Sequence, residues 1–175
     1  VRIYEYSNGS WTQLGSHIDG EASGDNSGHS VSLSSDGTIV AIGAPLTDEN
    51  GNESGHVRVY QYSNSSWTQL GSDIDGEAGN NRSGWSVSLS SDGTIVAIGA
   101  YLHDGSAGHV RVYQYNSNTT SWSQLGSDID GEAGGDFSGW SVSLSSDGTI
   151  VAIGATRNHD NAQYSGHVRI YQYLS

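Results

Sequence analysis

The chain has no cysteine, no methionine and no lysine. Without cysteine there is no disulfide and no thiolate zinc site. Without lysine, six arginines face nineteen acids, and the net charge is −13. A surface this acidic repels a nucleic-acid backbone and an anionic membrane, so neither is an expected partner. No apolar run approaches the roughly 20 residues of a membrane-spanning helix, and membrane insertion is not expected. Leucine and phenylalanine are scarce, whereas glycine occurs 25 times and serine and aspartate abound. That balance suits many short strands joined by tight turns. The missing methionine, at position 1 as elsewhere, leads us to expect a processed mature protein, an excised fragment or a segment of something longer. A signal peptide would leave no trace in such a chain.

What is present is repetition. Val1-Arg2-Ile3-Tyr4-Glu5-Tyr6 returns at Val57-Arg58-Val59-Tyr60-Gln61-Tyr62, at Val110-Arg111-Val112-Tyr113-Gln114-Tyr115 and at Val168-Arg169-Ile170-Tyr171-Gln172-Tyr173, with spacings of 56, 53 and 58 residues. A fixed period of this length marks a repeat architecture in which no single unit can bury its own apolar face. We read one domain over 1–175, with repeats near 1–56, 57–109 and 110–167 and a terminal strand over 168–175.

The middle copy shows the unit. Trp85-Ser86-Val87-Ser88-Leu89-Ser90 alternates large and small, as a strand does. Ser91-Asp92-Gly93 is a hairpin turn signal. Thr94 to Ala100 is apolar on both faces, which fits a strand covered on both sides. A loop through Leu102, His103, Asp104 and Gly105 leads to the alternating run His109 to Tyr115. A polar turn then precedes Trp122-Ser123-Gln124-Leu125, a short fourth strand. The fold class is therefore all-β: four-stranded antiparallel meanders, A to D, stacked as β-propeller blades. The serines of strand A leave room for a neighbouring sheet to come close.

The runs Ser-Gly-Trp-Ser-Val-Ser-Leu-Ser, Ile-Val-Ala-Ile-Gly-Ala and Gly-His-Val-Arg-Val-Tyr resemble the FG-GAP repeat of integrin α-subunit propellers. They are more similar still to the calcium-free FG-GAP-like repeats of bacterial and algal surface proteins. Gly43-Ala44-Pro45 keeps the GAP, and Ser27-Gly28, Ser83-Gly84 and Ser138-Gly139 stand where the family has FG. The resemblance implies a propeller and an extracellular or cell-surface place. The family's calcium loop lies between strands A and B, where this chain has only Ser35-Asp36-Gly37 and its copies. A tight hairpin cannot offer a calcium ion six to eight oxygens, so that site is not carried over.

Thirteen strands are expected, with C and D alone at the start and A, B and C alone at the end. Three blades need twelve, and a propeller closes with about four blades at minimum. The terminal sheets would expose raw edges and apolar faces. Completion by other copies, head to tail, as a ring or a filament, is the expected state, and the chain itself is the expected partner. Completion by flanking repeats of a longer array is the alternative.

The candidate sites follow from position. Asp73, Asp75 and Glu77, with Asp128, Asp130 and Glu132, could offer oxygen to calcium. The first copy has His17 where the others have Asp73 and Asp128, and Asx-type turns linking blades are the preferred reading. No cofactor is expected. His56, His109 and His167 open strand C and are expected to bond a backbone group there. Trp67 with Trp85 and Trp122 with Trp140 are expected in blade packing, with sugar stacking as the alternative. Five sequons, at Asn8, Asn52, Asn64, Asn81 and Asn118, are candidate glycosylation sites, and three of them share one loop of successive repeats. The B–C loops differ most between copies, so Asp48, Glu49, Tyr101, His103, Asp104, Arg157, His159 and Asp160 are the candidate ligand residues for an extracellular protein or glycan. No Ser-His-acid order of a hydrolase appears, and an enzyme is not expected.

Overall fold

The computed structural model of the chain describes residues 1–173, and it is almost entirely strand and turn. The last two residues of the expected terminal strand, 174–175, lie outside the described residues. Among the described residues fifteen strands form four antiparallel sheets. A two-stranded sheet comes first, β1 (Tyr4–Ser7) with β2 (Ser10–Gln13). The first full blade holds β3 (Ser30–Leu33), β4 (Ile39–Ala44), β5 (His56–Ser63), β6 (Ser66–Gln69) and β7 (Ile74–Asp75). The second holds β8 (Ser86–Leu89), β9 (Ile95–Ala100), β10 (His109–Asn116), β11 (Ser121–Gln124) and β12 (Ile129–Asp130). The last sheet has three strands, β13 (Ser138–Leu144), β14 (Ile150–Ala155) and β15 (His167–Gln172). A tight turn over His103–Ser106, in which Asp104 and Gly105 take left-handed φ, sits in the second B–C loop. No helix among the described residues is long and apolar enough to cross a membrane.

The expected count of thirteen is short by two, because strand D is split. In the second blade β11 pairs the C-terminal half of β10, and β12 returns to pair its N-terminal half. The chain bulges between them through Leu125 to Asp128, where Gly126 takes a left-handed φ of 78°. A two-residue strand carries no periodicity for sequence reading to catch.

Close approach of neighbouring blades is built into two glycine positions. A Cβ placed on Gly43 would run into the carbonyl oxygen of Gly84 in the next blade, and one on Gly99 would run into that of Gly139. The strand A serines are more than small. Ser30 Oγ donates to Gly84 O at 2.7 Å, and Ser32 Oγ accepts from Leu89 N at 2.9 Å. One blade further, Ser86 Oγ donates to Gly139 O at 2.8 Å and Ser88 Oγ accepts from Leu144 N at 2.9 Å. The hydroxyls thus replace water as partners for backbone that the approach desolvates. At the outer rim, Trp122 Nε1 donates to Leu70 O at 2.7 Å and Trp67 Nε1 to Leu14 O at 2.9 Å. Between these seams lies the apolar core. Ala41, Val57, Val59 and Ile74 of the first blade meet Val87, Leu89 and Ile98 of the second.

The A–B connections are tight hairpins, and their aspartates are spent on the turn. Asp147 accepts from Ser145 Oγ at 2.6 Å, Thr149 N at 3.0 Å and Thr149 Oγ1 at 2.9 Å. Those donors, the serine hydroxyl first, hold its carboxyl down at about 2. Asp36 and Asp92 make the same bonds.

Two outcomes are expected. Gly99→Ala lowers unfolding stability by about 1–3 kcal/mol, because backbone of two blades must part. Gly154→Ala, whose added methyl meets only Ser141 of its own sheet, costs less than about 1 kcal/mol, and denaturant titration separates the two. The hairpin aspartates bind protons more weakly folded than unfolded, so their contribution is present above pH ~4 and lost as pH falls toward 2. Asp147→Asn loses less stability than the parent chain across that window, measured by acid titration of circular dichroism.

Candidate functional site

Strand A begins, B ends, C begins and split strand D ends at one end of every blade. The B–C loops and D–A segments therefore gather there, and the candidate ligand and metal residues sit with them.

Each blade repeats one station around the histidine that opens strand C. His56 is buried, with its side chain 1% exposed. Its Nδ1 lies 3.5 Å from Glu49 of the B–C loop and 3.6 Å from Asp73 of strand D's bulge. Glu21, from the preceding blade's D–A segment, and Asp75 complete the ring of carboxylates. His109 Nδ1 lies 3.7 Å from Asp128, while Glu77 and His103 close the other side. His103 stacks on His109 at 4.0 Å between ring centres and approaches Glu77 at 3.7 Å. His167 Nδ1 lies 3.6 Å from Asp160 and 3.8 Å from Glu132. The histidines were expected to bond backbone. Instead, Nδ1 of His56 and of His109 has no hydrogen-bond partner and faces carboxylates. Burial, then the neighbouring His103, pushes the His109 pKa down to about 4. Burial, then the Asp73 and Glu49 charges, raises that of Asp75.

The glutamates of the D–A segments have a second partner that spacing could not reveal. Arg111 Nη2 donates to Asp75 O at 2.8 Å, and its Nη1 lies 3.4 Å from Glu77. Arg58 binds Asp19 O at 3.1 Å and Glu21 at 3.2 Å in the same way, and Arg169 reaches Glu132 at 3.3 Å. Each arginine lies over the tyrosine two places on, with 5.3–5.8 Å to the ring centre. A mid-strand arginine thus clamps the segment that leads out of the blade before it.

Nearer the strand A starts runs an aromatic ladder. His29, Trp85 and Trp140 hold one position in successive copies, and Trp85 packs between the others, its ring tilted to both, at 4.2 and 5.2 Å. Tyr101 joins Trp85 at 4.6 Å and Trp140 at 4.9 Å, and its hydroxyl accepts from Arg82 at 3.0 Å. Arg157 lies 4.4 Å over Phe137, and His159 meets Tyr164 at 4.8 Å. Trp140, Thr156, Arg157 and Tyr164 line an open concave patch. Trp67 and Trp85 lie in separate blade contacts, Trp67 at the outer rim and Trp85 in the ladder. The ladder was legible only as the shared place of His29, Trp85 and Trp140 before Ser-Val-Ser-Leu-Ser.

The remaining candidates are dispersed. Asp48 is exposed and accepts from Glu53 N at 2.8 Å. Asp104 is exposed with a left-handed φ of 46°. Asp130 is exposed at the strand edge, paired through backbone with His109. Asn8, Asn64 and Asn118 are exposed in equivalent C–D turns, and Asn52 is exposed in a B–C loop. Asn81 is a correction among the glycosylation candidates: its side-chain nitrogen is buried without a partner, leaving no room for a glycan.

We expect Arg111→Met to lower stability by about 1–3 kcal/mol, because the buried Asp75 carbonyl and Glu77 lose a charged donor. Glu77 is partly solvated, which holds the loss below that of a fully buried pair. Thermal denaturation of the variant checks this.

The comparisons agree with this geometry. No curated protein matches the chain significantly in sequence. Among solved structures it is similar to a periplasmic gluconolactonase of Pseudomonas aeruginosa, with 16% identity and a TM-score of 0.61 over 98% of this chain and 46% of that one. It is also similar to a putative 6-phosphogluconolactonase of Bacteroides fragilis, with 14% identity and a TM-score of 0.55 over 87% of this chain and 40% of that one. TolB of Acinetobacter baumannii gives 18% and 0.50 over 99% and 38%. The chain spans less than half the length of each, and at these identities the likeness is one of fold. The sequence model of the FG-GAP repeat matches residues 18–60 and 128–171. The chain carries FG-GAP repeats in these two regions and is built of β-propeller blades.

Proposed function

We propose that the chain is a non-enzymatic, extracellular scaffold whose incomplete end blades are completed head to tail by further copies. The observation that carries this is the state of its two ends. Val57 and Val59 are 0% and 1% exposed between blades, whereas their counterparts Val168 and Ile170 are 67% and 71% exposed. At the other end Val31 and Leu33 are 53% and 49% exposed, against 9% and 7% for Val87 and Leu89. Within the chain these two kinds of surface pack on each other. Apolar faces left open in this way favour association.

The missing parts also correspond. The opening sheet has strands C and D and lacks A and B. The closing sheet has A, B and C and lacks D. β13 and β14 of one copy with β1 and β2 of the next make one complete blade, and β1 then takes the edge of β14 that β15 holds. The two compete on equal terms because Val1-Arg2-Ile3-Tyr4 and Val168-Arg169-Ile170-Tyr171 carry the same pattern. Such an exchange is head-to-tail and gives a ring if the rotation closes and a filament otherwise. The exposed sequons of equivalent C–D turns favour an extracellular place.

A second reading rests on the aromatic ladder. Exposed Trp140 and Tyr164 with Arg157 offer stacking faces and a donor to a glycan or a protein loop. In that reading the chain is an adhesion module.

Light scattering across a hundredfold concentration range decides the leading reading. We expect mass to grow with concentration, and more so in a chain ending at Gly166, which has no β15. Leu33→Glu with Val31→Glu abolishes the growth. A folded monomer at every concentration overturns the proposal, as does turnover of a gluconolactone, the class of substrate in the names of two structural neighbours. Retention of a monomer on a glycan array, lost in Trp140→Ala, establishes the second reading instead.

A further inference from the structure

We infer that the two buried histidine stations, at His56 and His109, each bind a divalent transition-metal ion of the zinc class, and that the ion ties adjoining blades together. The first support is an imidazole nitrogen without a partner. His56 is almost wholly buried, and its Nδ1 has no hydrogen-bond partner in the protein. That nitrogen points into a ring of carboxylates, Glu49 at 3.5 Å and Asp73 at 3.6 Å, with Glu21 and Asp75 beside them. Asp75 Oδ1 is buried and unpartnered as well. Buried polar atoms are almost always satisfied, so two orphans in one station call for a ligand. His109 repeats the arrangement, with its Nδ1 buried, unpartnered and 3.7 Å from Asp128.

Separation is the second support. At 3.5–3.7 Å these atoms stand too far apart for an N–H···O bond of about 2.7–3.2 Å. Metal–ligand bonds of about 2.0–2.2 Å set neighbouring ligands of a tetrahedral ion about 3.4 Å apart. The separations between histidine and carboxylate match that edge within a few tenths of an ångström.

The third support is the substitution pattern between copies. The B–C loops differ in length and sequence, yet each brings a metal-ligating group to the same histidine: Glu49, His103 and Asp160. A simple ion pair with the strand C histidine explains Glu49 and Asp160 but not His103, which lies against that imidazole and also approaches Glu77. Glutamate, histidine and aspartate share the ability to donate a lone pair to a cation. Mixed imidazole and carboxylate ligands favour zinc-like ions over calcium, which prefers six to eight oxygens. Glu21 and Glu77 come from the preceding blade, so a bound ion would join two blades where Arg58 and Arg111 already clamp them. The third station, at His167, is open to solvent on one side and is expected to bind more weakly.

The test uses the untagged full chain. Isothermal titration and equilibrium dialysis with Zn²⁺ should give two tight ions per chain, and Co²⁺ should develop the visible absorption of a tetrahedral site. His56→Ala and His109→Ala should each remove one ion. Glu49→Gln, which leaves the buried imidazole and the fold intact, should weaken one site at least tenfold. The melting temperature should rise with Zn²⁺ in the parent chain and by less in each variant. Absence of Zn²⁺ and Co²⁺ binding up to ~1 mM overturns the inference. So does undiminished binding in the folded double histidine variant, and so does preferential binding of Ca²⁺. None of these results depends on whether the chain assembles.

Discussion

Face-to-face contact between neighbouring sheets is the constraint on which the rest of this molecule depends. A single blade of four short strands has two broad sides and no interior. Its core forms where it meets a neighbouring sheet, as Val57 and Val59 of one meet Val87 and Leu89 of the next. That contact needs the sheets to come within backbone distance at their inner strands. Gly43 and Gly99 make this approach sterically available, and the strand A serines satisfy the backbone it desolvates. Arginine clamps and tryptophan rim bonds then fix the blades at mid-strand and at the outer edge. The same interaction is left unmade at the two ends, where Val31, Leu33, Val168 and Ile170 stay exposed.

The polar end of the blades follows from this packing. Because every D–A segment must cross from one sheet to the next, its glutamate is carried over the following blade's strand C. There it meets the arginine and the histidine of that strand. Stations therefore lie at blade boundaries rather than within blades. A residue in one repeat acquires its chemistry from a partner some thirty to forty positions away. Burial of each histidine is a product of the stacking, which is why the half-covered closing sheet leaves His167 partly solvated while His56 and His109 are enclosed.

Much of the strand pattern was legible in the residues. Alternation in Trp85 to Ser90, the Asp-Gly turn and the doubly apolar Ile95 to Ala100 each reflect a local rule with a period of two or a turn of two residues. β9 is buried at every position, as its composition implied. The outer strand was misread as one piece, because a bulge and a two-residue return leave no periodic mark. The serine row was legible as space but not as a set of donors and acceptors, since the atoms it bonds belong to another repeat. The five sequons looked alike in sequence. Only the packing of the D–A segment separates buried Asn81 from exposed Asn8, Asn64 and Asn118.

By itself the sequence determined the all-β strands and their turns, because each of these is written within a span of about ten residues. Only the tertiary structure decided which faces are covered, which acids meet arginine and which meet histidine, and where a buried nitrogen is left without a partner. Those outcomes rest on distances between blades, and a one-dimensional pattern carries no information about them until the sheets are stacked.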